Sequence, residues 1–121
     1  MRKLSLLLLL LLVSCARNSQ QVDDSGVQME VTVMETAVSA TTLTITLHDA
    51  DGNPIDNAYL TIKGDMTHAG MIPVIATADG GTDGVYTTPF EWTMGGDWVV
   101  TIVADLRDGT TISREFPFTI Q

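Results

Sequence analysis

Two thioethers and an imidazole fall close together in one segment rich in small residues. Residues 66–73 read Met-Thr-His-Ala-Gly-Met-Ile-Pro, in a chain with two histidines and six methionines. Soft sulfur donors beside a borderline nitrogen donor favour Cu(I) over magnesium or calcium, which prefer oxygen ligands. A turn within this segment would bring its three donors together, and a glycine-rich turn nearby offers a further methionine. Met66, His68, Met71 and Met94 are therefore candidate ligands of a Cu(I) site.

Packing offers a second explanation of the same residues. The three loop methionines would then form a small apolar cluster that caps one end of the fold, with His68 merely exposed. Met29 lies on an alternating segment and is most simply a core residue. Met34 ends that segment among polar residues and indicates nothing by itself. Spacing alone leaves both explanations of the cluster open.

The start of the chain has the pattern of a bacterial lipoprotein signal. Arg2-Lys3 precedes a leucine-rich segment over 4–13, which is shorter than the roughly 20 residues of a membrane-spanning helix. Residues 12–15, Leu-Val-Ser-Cys, resemble the lipobox, in which the cysteine is acylated before cleavage, although an ordinary cleaved signal is the alternative. Cys15 is the single cysteine, so no disulfide competes for it. We predict a signal peptide at 1–14, a flexible tether at 15–26 and lipidation of Cys15, which would anchor the protein to the extracytoplasmic side of a bacterial membrane.

Charge excludes one large class of partners. The chain has 15 acidic and 6 basic side chains, a net charge of -9. Removal of residues 1–14 takes away Arg2 and Lys3, which leaves 15 acidic against 4 basic side chains and a charge of -11. Such a surface repels phosphates, so we predict no nucleic-acid binding. Most aspartates stand beside glycines, where they favour turns.

The arrangements typical of enzymes are not found in the sequence. Hydrolysis needs a nucleophile with a base and an orienting acid, and no Gly-x-Ser-x-Gly motif is present. The segment 49–53, Asp-Ala-Asp-Gly-Asn, resembles the start of a calcium loop, but its glycine comes too early and no glutamate stands at the twelfth position. A β-turn explains it better. We therefore predict that the protein is not an enzyme.

Period-two alternation predicts an all-β domain over residues 27–121. Val27, Met29, Val31 and Val33 alternate with polar residues, and glycine turns such as Asp83-Gly84 separate the later segments. Short strands at near-regular spacing predict an immunoglobulin-like antiparallel β-sandwich of about seven strands, with a small barrel as the alternative. The predicted strands are 27–33, one around 43–47, 57–63, 71–77, 84–92, 97–105 and 111–120, and Pro73 and Pro117 indicate edges or bulges.

Four separated motifs together resemble the YtkA-like and FixH-like domain family over residues 27–121. They are Asp-x-Asp-Gly-x-Pro at 49–54, the methionine and histidine segment at 66–73, Gly-x-Tyr at 84–86 and Met-x-Gly-x-Trp at 94–98. The resemblance implies a small extracytoplasmic immunoglobulin-like module, membrane-anchored or lipidated, linked with copper handling or with assembly of copper-containing respiratory oxidases. It implies ligand candidates at Met66, His68, Met71 and Met94, with Tyr86 and Trp98 as framework residues.

The chain departs from the family pattern in two respects. Thr67 follows Met66 where family members often have Met-Pro, and the transmembrane helix of FixH proteins is not present. Two hypotheses for function follow. In the first, the anchored domain binds Cu(I) reversibly for delivery to a copper-protein client or for buffering. In the second, it is an immunoglobulin-like binding or structural module that contacts another envelope protein without a metal.

Overall fold

A computed structural model describes residues 26–68 and 70–121 of the chain. The predicted signal peptide, Cys15 and all but the last residue of the predicted tether lie outside these residues. The described residues contain no helix that is long and apolar enough to cross a bilayer. They form seven strands: β1 (Gln28–Val33), β2 (Ser39–His48), β3 (Tyr59–Met66), β4 (Val74–Asp79), β5 (Val85–Trp92), β6 (Gly96–Asp105) and β7 (Thr111–Ile120).

The strands form two antiparallel sheets packed face to face. One sheet has the order β1-β2-β5 and the other has the order β4-β3-β6-β7. Every pairing is antiparallel, from the β1–β2 hairpin to the ten-residue β6–β7 ladder. This architecture confirms the predicted immunoglobulin-like β-sandwich of seven strands.

Alternation along each strand builds the core between the sheets. Successive side chains of a strand point to opposite faces, so every second residue is turned inward. On β5 the inward set includes Tyr86, Phe90 and Trp92, and all three are buried. On β6 it begins with Trp98 and continues through alternate apolar residues to Ala104. The two tryptophans meet edge to face, with ring centroids 5.3 Å apart.

One inward position is a cation that the sequence analysis did not single out. Arg114 stands between Ile112 and Phe116 on β7 and is only 4% exposed. Its guanidinium Nη2 donates a hydrogen bond of 2.8 Å to the carbonyl oxygen of Val27, just before β1. Because β1 and β7 are edge strands of different sheets, this bond ties the sheets together at their open side. A buried arginine needs such a partner to offset its loss of hydration.

The prolines take the positions that their missing N–H requires. Pro117 lies on β7, which is an edge strand of its sheet, as predicted, and it pairs with Val99 on β6. Pro73 precedes β4, whose first residue is Val74. An edge strand such as β7 has no neighbouring strand on one side, so it tolerates a residue without an N–H.

Tyr86 fastens the connection between β2 and β3. Its hydroxyl donates to the carbonyl oxygen of Ile55 at 2.6 Å and accepts a hydrogen bond of 3.1 Å from the backbone N–H of Ala58. Burial raises the pKa of the Tyr86 phenol, with the negative charge of Asp56 adding to the effect and the Ala58 bond opposing it. The protonated hydroxyl therefore stabilises a long loop from inside the core.

The segment at 49–53 forms the turn that the sequence predicts. The Asp49 carboxylate accepts hydrogen bonds of 2.9 Å from the backbone N–H groups of Asp51 and Asn53. The bond from Asn53 is the main cause that lowers the pKa of Asp49. This carboxylate is therefore engaged in turn formation.

We expect Tyr86→Phe to lower the free energy of unfolding by about 1–3 kcal/mol at neutral pH, because the partners of the hydroxyl lose their hydrogen bonds in the interior. Because the folded-state pKa is raised, the contribution of Tyr86 is complete below about pH 10, where tyrosine in the unfolded chain titrates. It is lost as the pH rises further, through the folded-state pKa. Urea unfolding on both sides of this pH measures both effects.

Tyr59→Phe is the matched control, since Tyr59 lies at the start of β3 and is 43% exposed. It should change the free energy of unfolding by less than about 0.5 kcal/mol, as surface substitutions usually do. Equal effects of the two substitutions would contradict the assigned role of the buried hydroxyl.

Candidate metal site

Met66 is the last residue of β3 and lies in the core. It is 9% exposed and pairs across the sheet with Trp98 on β6. The local sequence pattern predicts that this strand ends at residue 63 and that Met66 lies in a loop. The ladder continues through Gly64 and Asp65, which lie opposite Val100 and Val99, so pairing with a central strand overrides the weak local pattern.

A glycine in the facing turn makes room for the Met66 methyl group. Gly96 has a φ of 127°, and a Cβ placed on it would lie 2.8 Å from Cε of Met66. No pair of carbon atoms approaches that closely without one of them moving. The absence of a side chain at Gly96 therefore leaves space for the Met66 methyl group at this end of the core.

Met94 lies in the turn between β5 and β6, and its side chain is 46% exposed. Its carbonyl oxygen accepts a hydrogen bond of 2.9 Å from Nε1 of Trp98. Trp98 is thus the strand neighbour of Met66 and the hydrogen-bond partner of Met94. Two predicted ligands, 28 positions apart in sequence, adjoin the same side chain.

His68 and Met71 belong to the connection between β3 and β4. His68 is exposed, whereas Met71 is half-buried and packs against the core. The connection begins beside the β5–β6 turn, because the N–H of Thr67 donates to the carbonyl oxygen of Asp97 at 3.2 Å. Three of the four predicted ligands therefore lie in two connections at one end of the sandwich, and Met66 lies at the end of the strand before one of them. Their joint coordination of an ion stays a prediction.

We call this the methionine end, formed by the connections 34–38, 67–73 and 93–95 together with Met66. The first connection brings Met34 to the same end, 82% exposed, although the sequence analysis gave it no role. The shared location of these connections could be predicted from strand direction alone, since in an antiparallel sandwich the connections that follow β1, β3 and β5 lie at one end. The C-terminal Gln121 joins them through its backbone bond to Thr36.

The opposite end of the sandwich is acidic. Its connections and their flanking strand ends carry Asp49, Asp51, Asp56, Asp79, Asp83, Asp105 and Asp108. An open cleft there is lined in part by Asp49, Asp108 and Arg107. In residues 26–68 and 70–121, no three His, Cys, Asp or Glu side chains are grouped so that they could hold a metal ion.

The donor set at the methionine end fits a soft ion. Three thioethers and one imidazole match the preference of Cu(I) for sulfur and borderline nitrogen ligands. Met66 is buried and Met71 half-buried, whereas Met94 and His68 are exposed. An ion bound by all four would lie between the core and solvent.

The two-sheet architecture defines an immunoglobulin-like β-sandwich module, and comparison with known proteins agrees. The soluble domain of PmoD from Methylocystis sp. ATCC 49242 is similar in structure, with a TM-score of 0.53 and 10% sequence identity over 78% of this chain and 91% of that chain. The Lin-41 filamin domain has a TM-score of 0.56 and 18% identity, over 80% of this chain and 93% of that chain. At such identities these likenesses concern the fold alone.

The chain belongs to the YtkA-like family, whose sequence profile matches residues 19–103. This confirms the resemblance found in the sequence. No significant match was found among curated proteins. The family and the fold are in general non-catalytic, and they are consistent with an extracytoplasmic location.

We expect Gly96→Ala to destabilise the fold more than Gly109→Ala. Gly109 also has a positive φ, of 90°, but a Cβ there meets no atom within 4 Å, so its substitution costs only the left-handed backbone, about 1–2 kcal/mol. At Gly96 the φ of 127° lies further from the left-handed helical region, and the Met66 methyl group must also shift. Because this methyl group is the far end of a flexible side chain, its shift adds about 1 kcal/mol or less. Urea unfolding of both variants measures the difference.

The same comparison in a Met66→Ala background tests the cause. Removal of the Met66 thioether should remove the part of the excess cost of Gly96→Ala that comes from this shift, because the atom that the new Cβ meets is gone. An excess that does not decrease in that background would show that the Met66 methyl group does not lie against Gly96.

Proposed function

We propose that this protein is a membrane-tethered, extracytoplasmic copper-handling module that binds Cu(I) reversibly at the methionine end for delivery or buffering. The proposed ligands are Met66, His68, Met71 and Met94. The observation that carries the proposal is the position of Trp98, which pairs with Met66 across the sheet and holds the Met94 turn by a hydrogen bond.

Neutral thioether ligands suit reversible binding of a univalent ion. They need not lose a proton when the ion binds, unlike thiols. Cysteine thiolates hold soft metals more firmly and are open to oxidation outside the cytoplasm. The half-exposed Met94 thioether and the exposed His68 imidazole are the ligands that a partner reaches first, so transfer would proceed by exchange from that side.

A client protein would approach the same end. Several exposed apolar side chains lie there, including Ile72, which is 87% exposed, with Val38 and Met34 on a neighbouring connection. Methionine and large apolar side chains are enriched at protein interfaces. The same observation favours the second candidate function, a binding module without a metal that contacts another envelope protein through this end. The metal titration below discriminates between the two.

The tether would leave the sandwich from the acidic end. Gly26 adjoins Ala50 in the β2–β3 connection, at the end opposite to Met66 and Met94. A ten-residue strand such as β6 is about 33 Å long, so the methionine end lies roughly that far from the exit of the tether. A lipid anchor on Cys15 would thus leave the proposed metal site accessible to a partner in the aqueous phase.

We expect Met66→Leu combined with Met71→Leu to lower Cu(I) affinity by at least about 10–100-fold, the loss that is typical even for an outer-shell partner of a metal. Leucine keeps the volume and apolar character of methionine, so the fold should lose less than about 1.5 kcal/mol per site. Competition with a chromophoric Cu(I) chelator measures the affinity. The mature chain with Cys15→Ser serves as the parent, so that no thiol contributes.

Met29→Leu is the matched control, because Met29 is 8% exposed and lies in the same core but on β1, near the acidic end. It should leave Cu(I) affinity unchanged. Stoichiometric copper retained by the double variant would refute the assigned ligands. Failure of the parent to compete at micromolar concentration would favour the binding module without a metal.

For the anchor, we expect mass spectrometry of the N-terminal peptide to show a mature chain that begins at an acylated Cys15. Cys15→Ala should accumulate as an unprocessed chain, because the acyl group is required before cleavage. Ser19→Ala, four positions further along, should be processed as the wild type is. A mature chain whose cysteine carries no acyl group would contradict the anchor.

A further inference from the structure

Two buried indoles each donate a hydrogen bond from their N–H to the backbone of a loop at the methionine end. Trp92 and Trp98 lie in edge-to-face contact, with ring planes at 73° and almost no exposed surface. Nε1 of Trp92 donates to the carbonyl oxygen of Glu35 at 3.0 Å, and Nε1 of Trp98 donates to that of Met94 at 2.9 Å. The two bonds are alike in length and type, but only the second reaches a residue that is a proposed ligand.

The bond from Trp98 closes the β5–β6 turn onto the strand that follows it. Donor and acceptor are four residues apart, so the bond fixes the backbone from which the Met94 side chain extends. An indole N–H in the interior keeps its partner, since an unpaired one loses hydration without compensation. The Met94 side chain is half-exposed, so the core holds only part of it.

The same stretch of β6 also holds the other ligand-bearing connection. Met66 lies opposite Trp98, and the carbonyl oxygen of Asp97 receives the N–H of Thr67, next to His68. Two consecutive residues of β6 therefore set the backbone on both sides of the proposed site. Trp92 contacts Trp98 but bonds to a connection that carries no proposed ligand.

We propose that Trp98 is a positioning residue for the Cu(I) site, acting through its N–H on the Met94 turn; this inference rests on the proposed function. The indole holds the backbone from which the Met94 thioether extends before the ion arrives. Without the bond, the turn becomes ordered only upon binding. The entropy cost of ordering about one extra backbone residue upon binding corresponds to a loss of about tenfold in Cu(I) affinity.

Trp98→Phe and Trp92→Phe form a matched pair for the test, measured as Cu(I) affinity by chelator competition in the Cys15→Ser mature chain. Both remove one indole N–H and the same ring volume from one aromatic cluster, so both should lower stability to a similar extent. Trp98→Phe should weaken Cu(I) binding by about tenfold, whereas Trp92→Phe should leave it within about twofold, well below the effect of one lost ligand. Equal weakening by the two variants would overturn the proposal.

A double-mutant cycle with Met94→Leu separates positioning from general loosening. If Trp98 acts through Met94, Trp98→Phe should have little further effect once the Met94 thioether is absent. A tenfold effect that persists in the Met94→Leu background would overturn the proposal. Wild-type protein that binds no Cu(I) would overturn the proposed function and this role with it, while tight binding by wild type and Trp98→Phe alike would overturn only the role.

The wild-type chain supplies a readout that does not depend on how the variants fold. In a ¹⁵N-labelled sample the two indole N–H groups give separate resonances. Titration with Cu(I) should shift the Trp98 indole signal more than the Trp92 signal, because only the former bonds to a ligand-bearing turn. A larger shift at Trp92, or no shift at either, would contradict the assigned role.

Discussion

The pairing of β3 with β6 continues to the last residue of β3, and the rest of the methionine end depends on that continuation. It sets Met66 opposite Trp98, turns the Met66 side chain into the core and brings its methyl group against Gly96. It also delivers the following connection beside the β5–β6 turn, since Thr67 bonds to Asp97. A shift of one residue in this register would turn Met66 to the opposite face of the sheet. The register is well determined because the inward residues on both strands are large and apolar.

The antiparallel topology gives the molecule two chemically different ends. Connections after β1, β3 and β5 carry Met34, Met71 and Met94, and connections after β2, β4 and β6 carry most of the described aspartates. The acidic turns are satisfied locally, as the Asp49 carboxylate shows by accepting two backbone N–H groups. The described chain begins at Gly26, at the acidic end, so the methionine end lies at the far end of the sandwich from its first described residue.

The strands and their inward faces could be predicted from the sequence, because period-two alternation reports directly which side chains are buried. The β5 segment from Val85 to Trp92 shows this most clearly. The end of β3 could not be predicted, since Gly64 and Asp65 interrupt the local pattern and only pairing with β6 extends the strand to Met66. Arg114 was missed because its charge suggests a surface, although its place between Ile112 and Phe116 marks an inward position. The indole bonds to Glu35 and Met94 depend on tertiary packing that no local pattern records.

X-ray absorption spectroscopy of the Cu(I)-loaded Cys15→Ser chain tests the central claim most directly, since it reports the atoms bound to the ion. The account predicts a first shell with at least two sulfur neighbours that can come only from thioethers, and the loss of one of them in Met66→Leu. A shell of nitrogen and oxygen alone, or a sulfur shell unchanged by Met66→Leu, would contradict it.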